Sequence, residues 1–532
     1  MADKNILLME PGYRNKYPPL GLMKLASYHG PRGKGDAVRF VKGEDPAVRN
    51  TAWDRIYVTT LFSFEWDRTA RSIDYALELA GGQAHRVFVG GIAASLMHER
   101  FLDEPRWRGV RFIKGLLGQA PAHSLDLDPF EDELYADDVA GTPIEDLVPD
   151  YGILGHIDYT YPVHDAYFTY ASRGCVRKCA FCGVPKLEGG QRDTQSLSAV
   201  VEGIRALHGP KRDLILMDNN VVASANFSDI VAEIIDLGFG RGATLRRGRH
   251  DIRRRVDFNQ GVDARILCRD PMYLRELARI AIKPLRIAFD HLGVKKPYTQ
   301  AVRYAAEAGL TDLSNYMLYN FHDGPADLFE RMRLNVTLNE ELGIRIFSFP
   351  MRYQPVTRPD RGHVGKRWNP YYLRSMQIIL QATHGIVSGA PDYFRSAFGD
   401  TYGEFEGILL RPHHYIFNRA WYERHEGRAE YEDYQRTMAT LGADERTELL
   451  AYLCGRESRA YGRDLGTLAP GRLREAARYF APLPKSEEKL IWEAQKRRRN
   501  QKPDSRALVP EDERVEDAGL TDGDFRPARE AA

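Results

Sequence analysis

Three of the chain's five cysteines, Cys175, Cys179 and Cys182, stand together as Cys-x3-Cys-x2-Cys directly after a strand-like run at 166–171. One loop therefore carries all three thiols. Three thiolates so placed can each take one iron of a 4Fe-4S cubane and leave the fourth iron without a protein ligand, open to chemistry. A structural zinc site is the competing reading. It needs a fourth Cys or His at suitable spacing, whereas Cys268 lies far along the chain and the nearest histidine, His164, precedes the strand. Inert buried thiols are the third reading. An odd cysteine count crowded in this way suits metal ligation in a reducing compartment better than a disulfide framework.

Such a loop needs elements to hold it. Strand-like runs near 166–171, 213–217, 256–260, 285–289, 313–319 and 344–349 alternate with helix-like stretches. Leu197, Val200, Val201, Ile204 and Leu207 recur at helical spacing until Gly209-Pro210, Ile230, Val231, Ile234 and Ile235 repeat the pattern, and Asp270 can cap a third helix with Pro271 in its first turn. Six such βα units with right-handed crossovers curl into a partial (βα)6 TIM-like barrel over 161–356, with active groups at the carboxyl ends of its strands. Runs near 5–9, 37–41, 55–59 and 86–90 predict a small α/β domain over 1–115, flavodoxin-like (Rossmann-like) in class. Residues 116–160, with Asp126, Asp128, Glu131, Asp132 and Glu133, read as an acidic linker. A mainly helical region follows over 357–484, where Tyr415, His413 and His414 carry no assigned role, and the charged stretch 485–532 is expected to be disordered.

The string Ser172-Arg-Gly-Cys175-Val-Arg-Lys-Cys179-Ala-Phe-Cys182 resembles the radical S-adenosylmethionine (SAM) superfamily. That resemblance implies that the amino and carboxylate groups of SAM chelate the open iron. One electron, from a donor such as flavodoxin or ferredoxin, then cleaves SAM to methionine and a 5′-deoxyadenosyl radical that takes hydrogen from a substrate. It also implies that Phe181 shields the cluster and packs near adenine, with ordinary loop packing as the alternative. Asp218-Asn219-Asn220 occupies the place where the family receives the SAM amino group, against a plain helix-capping turn. Asn259-Gln260-Gly261-Val262-Asp263-Ala264-Arg265 resembles the Gln-Gly-x-Asp-Ala-Arg element of cobalamin-domain relatives, which marks Gln260 and Asp263 as cofactor-binding candidates. Asp290-His291 ends the fourth strand, where an acidic residue binds ribose hydroxyls, against a surface turn. Asn320-Phe-His-Asp-Gly324-Pro325 is similar to the turn that lies against SAM in relatives, though the usual Gly-Phe-Pro-Gly-Glu-Thr wording is absent. No catalytic residue is singled out.

Met9-Glu-Pro-Gly12, Tyr17-Pro-Pro-Leu-Gly-Leu22, Thr59-Thr-Leu61 and Val89-Gly90-Gly91 together resemble the cobalamin-binding domain that precedes many radical SAM cores. A Gly-Gly turn lets backbone approach a flat ligand or phosphate. The family's Asp-x-His-x-x-Gly is missing, and His29, His85 and His98 do not fit it, so cobalamin held without a protein lower ligand stands beside a scaffold role. The expected function is radical SAM chemistry, with cobalamin-dependent methyl transfer ahead of rearrangement, cyclisation or methylthiolation and the substrate unidentified. Methylthiolation lacks the cysteine set it needs before Cys175. The alternative is a non-catalytic iron-sulfur protein that binds a partner or nucleic acid through Arg246, Arg247, Arg249, Arg253, Arg254 and Arg255. That run precedes the third strand, on the bottom of the expected barrel and away from the cysteines, and Lys496-Arg-Arg-Arg499 reads as a solvated segment. With 75 Lys and Arg against 74 Asp and Glu, no overall field recruits nucleic acid or an anionic membrane. Without an 18-residue apolar run or a targeting segment, a cytoplasmic chain with no membrane partner is expected.

Overall fold

The computed structural model describes residues 4–117, 138–139, 142–387 and 389–501. It is a mixed α/β chain that divides into two compact units, residues 1–316 with 342–345 and 353–363, and residues 317–341 with 346–352 and 364–532.

The first unit begins with strands β1 Asn5–Glu10, β2 Ala37–Lys42, β3 Arg55–Thr60, β4 Val87–Gly91 and β5 Arg111–Phe112. They form a parallel sheet in the order β2-β1-β3-β4-β5, so the winding reverses between β1 and β3. Ile6, Leu7, Leu8 and Met9 are all fully buried, the continuous apolar run expected of a parallel strand covered on both faces. Helices α1 Leu20–His29 and α2 Trp66–Leu79 pack against this sheet. Gly91 has φ 102°, and a Cβ there would fall 2.4 Å from the Thr60 carbonyl oxygen. The Gly-Gly signal is thus used by the close passage of β4 across the end of β3.

The same unit continues with β6 Ala166–Thr169, β7 Asp213–Leu216 and β8 Arg255–Phe258, parallel in the order β8-β7-β6 with Leu214 opposite both Tyr167 and Val256. Parallel bridges Val256↔Ile282 and Val262↔Ile287 carry the alternation on to β9 Leu285–Arg286, which pairs with β10 Asp312–Tyr319. Intervening helices are α3 Leu197–His208, α4 Phe227–Ile234, α5 Met272–Leu277 and α6 Lys295–Glu307. The next helix, α7 Pro325–Leu342, and the sixth expected strand, β11 Arg345–Arg352, fall almost wholly in the second unit. Ser196 caps α3 through Ser198 N–H at 3.2 Å, Gly209 ends it at φ 74°, and Asp270 accepts from Met272 N–H at 2.8 Å at the start of α5.

Arg246, Arg247, Arg249 and Arg253 are exposed on an antiparallel hairpin, Thr244–Arg247 against His250–Arg253, that turns at Gly248, whereas Arg254 and Arg255 are half-buried and Arg255 begins β8. Two expectations are corrected. The later part of the expected linker is folded: Ile144, Tyr151 and Ile153 are core residues, and the Tyr151 hydroxyl donates to Ala166 O at 2.9 Å and accepts from Phe168 N–H at 3.0 Å, pinning β6. Asp126, Asp128, Glu131, Asp132 and Glu133 lie outside the described residues. Lys485–Gln501, expected to be disordered, is helical, with Ile491 and Ala494 buried one turn apart; 502–532 lie outside the described residues.

In the second unit, Tyr415, His413 and His414 belong to an aromatic core. The Tyr371 and His413 rings stack at 4.6 Å, and Tyr415 donates to Glu430 Oε1 at 2.6 Å. Burial pushes His413 down to about 3 and His414 to about 4, so both stay neutral near pH 7. Among the described residues no helix is long and apolar enough to cross a membrane.

Candidate functional site

The cysteine loop leaves β6 through Ser172–Arg173, which pairs antiparallel with Arg192–Asp193 and closes the intervening residues into a single excursion. Its first turn depends on Gly174. There φ is 75°, and a Cβ would lie 2.1 Å from the Gly190 carbonyl oxygen, so the two limbs meet backbone to backbone. Cys175 N–H donates to Gly189 O at 3.3 Å across the same neck.

Three carboxylates seat this loop. Asp218, at the end of β7, is 1 % exposed and accepts from Ala171 N–H at 3.0 Å, Ser172 N–H at 2.5 Å and the Ser172 hydroxyl at 2.7 Å. Burial pushes its carboxyl up to about 6, against the pull of these donors. Glu188, on the returning limb, accepts from Arg173 Nη2 at 3.0 Å, Gly174 N–H at 3.0 Å and Asn219 Nδ2 at 2.8 Å. Burial raises its carboxyl, and the Arg173 guanidinium with the other donors outweighs burial and holds it below the usual range. Arg173 also bonds Glu145, and Glu145 pairs with the buried amine of Lys24 from α1.

The third carboxylate is Asp263. Its Oδ2 accepts from Arg177 Nε at 2.6 Å, and its Oδ1 accepts from Arg265 N–H at 3.0 Å and Arg265 Nε at 2.8 Å. Here too burial raises the carboxyl, while Arg265 and Arg177 hold it below its ordinary value.

The cysteines are free and half-buried. Two of the sulfurs have a backbone hydrogen-bond donor. Cys175 Sγ accepts from Arg177 N–H at 3.4 Å and lies 3.9 Å from Asn220 Nδ2, and Cys182 Sγ accepts from Val184 N–H at 3.4 Å, while the positive charge of Arg265 acts on Cys179 and pulls its thiol down against burial. Burial raises the Cys179 and Cys182 thiols, and the Asp290 carboxylate adds to that rise in both. Among the described residues no three Cys, His, Asp or Glu side chains are gathered as a ready group for one metal ion. A cubane asks for something different, one thiolate per iron with hydrogen bonds to the sulfurs, and the donor set here has that chemistry.

The structure therefore brings Phe181, Asp263 and Asp290 to the three cysteines, with Phe181 half-buried between Cys179 and Cys182. Asp218 is committed to the turn beneath them, Asn219 is bonded to Glu188, and Gln260 is exposed on the turn after β8. Asn320 belongs to the second unit, where it takes φ 71° and accepts from Gly365 N–H at 2.7 Å.

Glu188, Glu145 and Lys24 were not legible in spacing, since each meets the loop only through the tertiary fold. Arg265 stood inside the quoted Gln-Gly-x-Asp-Ala-Arg element. Tyr17 was also missed as a site residue. Its ring meets Phe168 edge-on at 5.9 Å, and its hydroxyl donates to Asn259 Oδ1 at 2.6 Å, so the start of the chain reaches the strand ends. Beside it Arg286 forks onto Asp257 at 2.7 and 2.8 Å, filling the interior below Asn259.

Two solved structures of TsrM, a radical S-adenosylmethionine methyltransferase from Kitasatospora setae, are similar to this chain. One, with cobalamin and a [4Fe-4S] cluster bound, shows 16% identity and a TM-score of 0.43, covering 67% of this chain and 77% of that one. The other, with tryptophan substrate and the SAM analogue aza-SAM bound, shows 15% identity and a TM-score of 0.44, covering 72% and 77%. No family model and no curated protein matches the chain.

Proposed function

We propose that this chain is a radical SAM enzyme, that Cys175, Cys179 and Cys182 hold its 4Fe-4S cluster, and that cobalamin-dependent methyl transfer is its reaction type. The observation that carries the reading is the loop itself: three thiols on one excursion of the chain, two of their sulfurs supplied with a backbone hydrogen-bond donor, on a turn seated by three carboxylates. When bound, the cluster supplies the electron that cleaves SAM to methionine and a 5′-deoxyadenosyl radical. The protein's part is to leave one iron unligated, to hold the loop rigid through Asp218 and Glu188, and to present Phe181 as an apolar screen. Asp290, whose charge acts on Cys179 and Cys182, is our candidate to receive a ribose hydroxyl of SAM, a role supported by its nearness in charge to the cysteines. We assign 161–356 to a partial TIM-like barrel and 1–115 to a flavodoxin-like domain. The β2-β1-β3-β4-β5 order supports the latter, and its switch point between β1 and β3 is the place for a planar cofactor.

The test is anaerobic reconstitution and dithionite reduction with SAM, assaying 5′-deoxyadenosine and S-adenosylhomocysteine, with Cys179→Ala as control. Deoxyadenosine that disappears in the variant supports radical chemistry, and S-adenosylhomocysteine formed only with added cobalamin supports methyl transfer. Failure of the reconstituted chain to bind SAM would refute the proposal.

A further inference from the structure

The cysteine loop has two sides. Cys175 lies 3.9 Å from Asn220 Nδ2 and Arg177 bonds Asp263 at 2.6 Å, so these two residues face the strand ends. Val176, Lys178 and Ala180, which alternate with them, are exposed, Val176 at 51 %. On the Cys182 side the loop is covered: a Cβ at Gly183 would lie 3.0 Å from a methyl carbon of Leu96, in the helix Ile92–Leu96 of the amino-terminal domain. The open edge carries one sign of charge. Lys178 and Lys186 are exposed, and among the described residues neither has an ion pair. Between Gly174 and Gln191 the one carboxylate is Glu188, whose side chain is 9 % exposed and tied to Arg173 at 3.0 Å. The whole chain shows no such bias, with 75 Lys and Arg against 74 Asp and Glu. An apolar side chain thus stands in water next to Cys175, with uncancelled lysines on the same loop.

We propose that this open edge, formed by Val176, Lys178 and Lys186, is the docking surface for a small acidic redox protein that delivers the electron to the cluster. The inference rests on the cluster assignment above and names a partner for that site. One electron leaves the donor's reduced centre and enters the cluster, and no bond is made or broken in the transfer. The donor has to come close to a thiolate ligand. Val176 adjoins Cys175 and Lys178 adjoins Cys179, so a partner seated here is one residue from two ligands. Electron-transfer encounters are among the smallest specific interfaces, below about 1,200 Å² in total, so one apolar contact beside a few cations is enough. Lysines that no local carboxylate cancels draw an acidic surface and turn away a basic one. Steering of this kind acts on the association rate more than on affinity.

The test takes the reconstituted full chain and an acidic flavodoxin as the probe. Stopped-flow absorbance follows cluster reduction by the flavodoxin hydroquinone, and anisotropy of labelled oxidised flavodoxin follows association. At about 0.01 M ionic strength, where charges act over about 30 Å, the double variant Lys178→Glu, Lys186→Glu should lower the second-order rate of reduction about tenfold. At about 1 M salt, where they act over about 3 Å, parent and variant should converge. Reduction by the methyl viologen radical, a small cation, should not slow, which separates docking from a change in the cluster itself. Arg246→Glu with Arg249→Glu reverses two exposed charges on the hairpin before β8 and should leave the flavodoxin rate at the parent's. A parent rate in the lysine variant, or an equal loss in the hairpin variant, overturns the proposal. So does a loaded parent that methyl viologen reduces and flavodoxin does not. If the lysine variant assembles no cluster, association of oxidised flavodoxin with the unloaded chains decides: weaker binding than the parent supports the surface, and equal binding overturns it. A parent chain that takes up no cluster refutes the cluster assignment instead.

Discussion

Three glycines at the neck of the cysteine loop form a graded experiment. Gly174 and Gly189 share φ 75°, whereas Gly190 has an ordinary backbone. A Cβ at Gly174 would meet Gly190 O at 2.1 Å, Gly190 C at 2.7 Å and Gly189 O at 3.0 Å, while at Gly189 and Gly190 it would meet nothing within 4 Å. Gly190→Ala should therefore cost nothing, and by stiffening the unfolded chain it stabilises by about 0.4–1 kcal/mol where the backbone is compatible. Gly189→Ala carries only the left-handed backbone penalty, about 1–2 kcal/mol. Gly174→Ala carries the same penalty plus the displacement of a backbone carbonyl that cannot rotate aside, about 1–3 kcal/mol more by analogy with overpacked cores. The difference between the last two isolates the clash, a factor of about 5 to 150 in the population of closed loop. Hydrogen exchange of the loop amides in the apo chain, with iron content after reconstitution as a second readout, should rank the variants Gly190→Ala, Gly189→Ala, Gly174→Ala in falling order. Equal protection and equal iron in Gly174→Ala and Gly189→Ala would refute the claim that contact between the two limbs sets the turn.

Other outcomes follow from the buried charges. Arg286→Met alone should cost about 3–5 kcal/mol in urea unfolding because it strands Asp257, and adding Asp257→Leu should recover most of that loss. Glu188 and Asp263 both have folded values below their unfolded ones, so their stabilisation is complete above the unfolded values and is lost as pH falls through the folded ones. Loop protection should fall on acidification below about pH 4.5, and Glu188→Gln should remove part of that transition. Asp218 works in the opposite sense: its folded value, raised to about 6, means its neutral form is favoured below the unfolded value and that stability is lost as pH climbs through 6. Asp218→Asn should flatten this segment of the pH profile at the cost of the turn it seats. Replacing exposed Arg246, Arg249 and Arg253 with Ser should change stability by no more than about 0.5 kcal/mol each and leave iron content unaltered.

What the sequence made legible was periodic or punctuated. The strands after residue 166 and the caps at Ser196 and Asp270 are local patterns, and they stand where apolar alternation and turn chemistry put them. The cysteine spacing is local too. The support beneath it is not: Glu188, Asp218 and Asp263 come from a returning limb, a neighbouring strand end and the strand beyond, and only the sheet's register brings them together. Asp218 shows the cost of reading polar strand ends as ligand sites, since its carboxylate points into the protein and holds backbone. Gly91 shows the same for glycine. Its freedom serves the passage of one strand end over another, which no spacing rule distinguishes from the approach of a ligand. The hairpin around Gly248 was not legible because its arginines masked the short β-compatible stretches on either side.

The order in which the seat is completed has a consequence for synthesis. Lys24 and Glu145 precede the cysteines in the chain, but the three carboxylates that seat the loop, Glu188, Asp218 and Asp263, all follow Cys182. Asp218 and the pair Asp263 and Arg265 come later, Arg265 following Cys182 by 83 residues. At about 5–20 residues per second that is an interval of roughly 4–17 s. For that time the loop is without Asp263, and the turn at Ser172 waits less than half as long for Asp218, which follows Cys182 by 36 residues. Metal delivered to the nascent chain would meet a loop whose seating carboxylates are not all in place, so productive insertion belongs after the third βα unit has been made and packed.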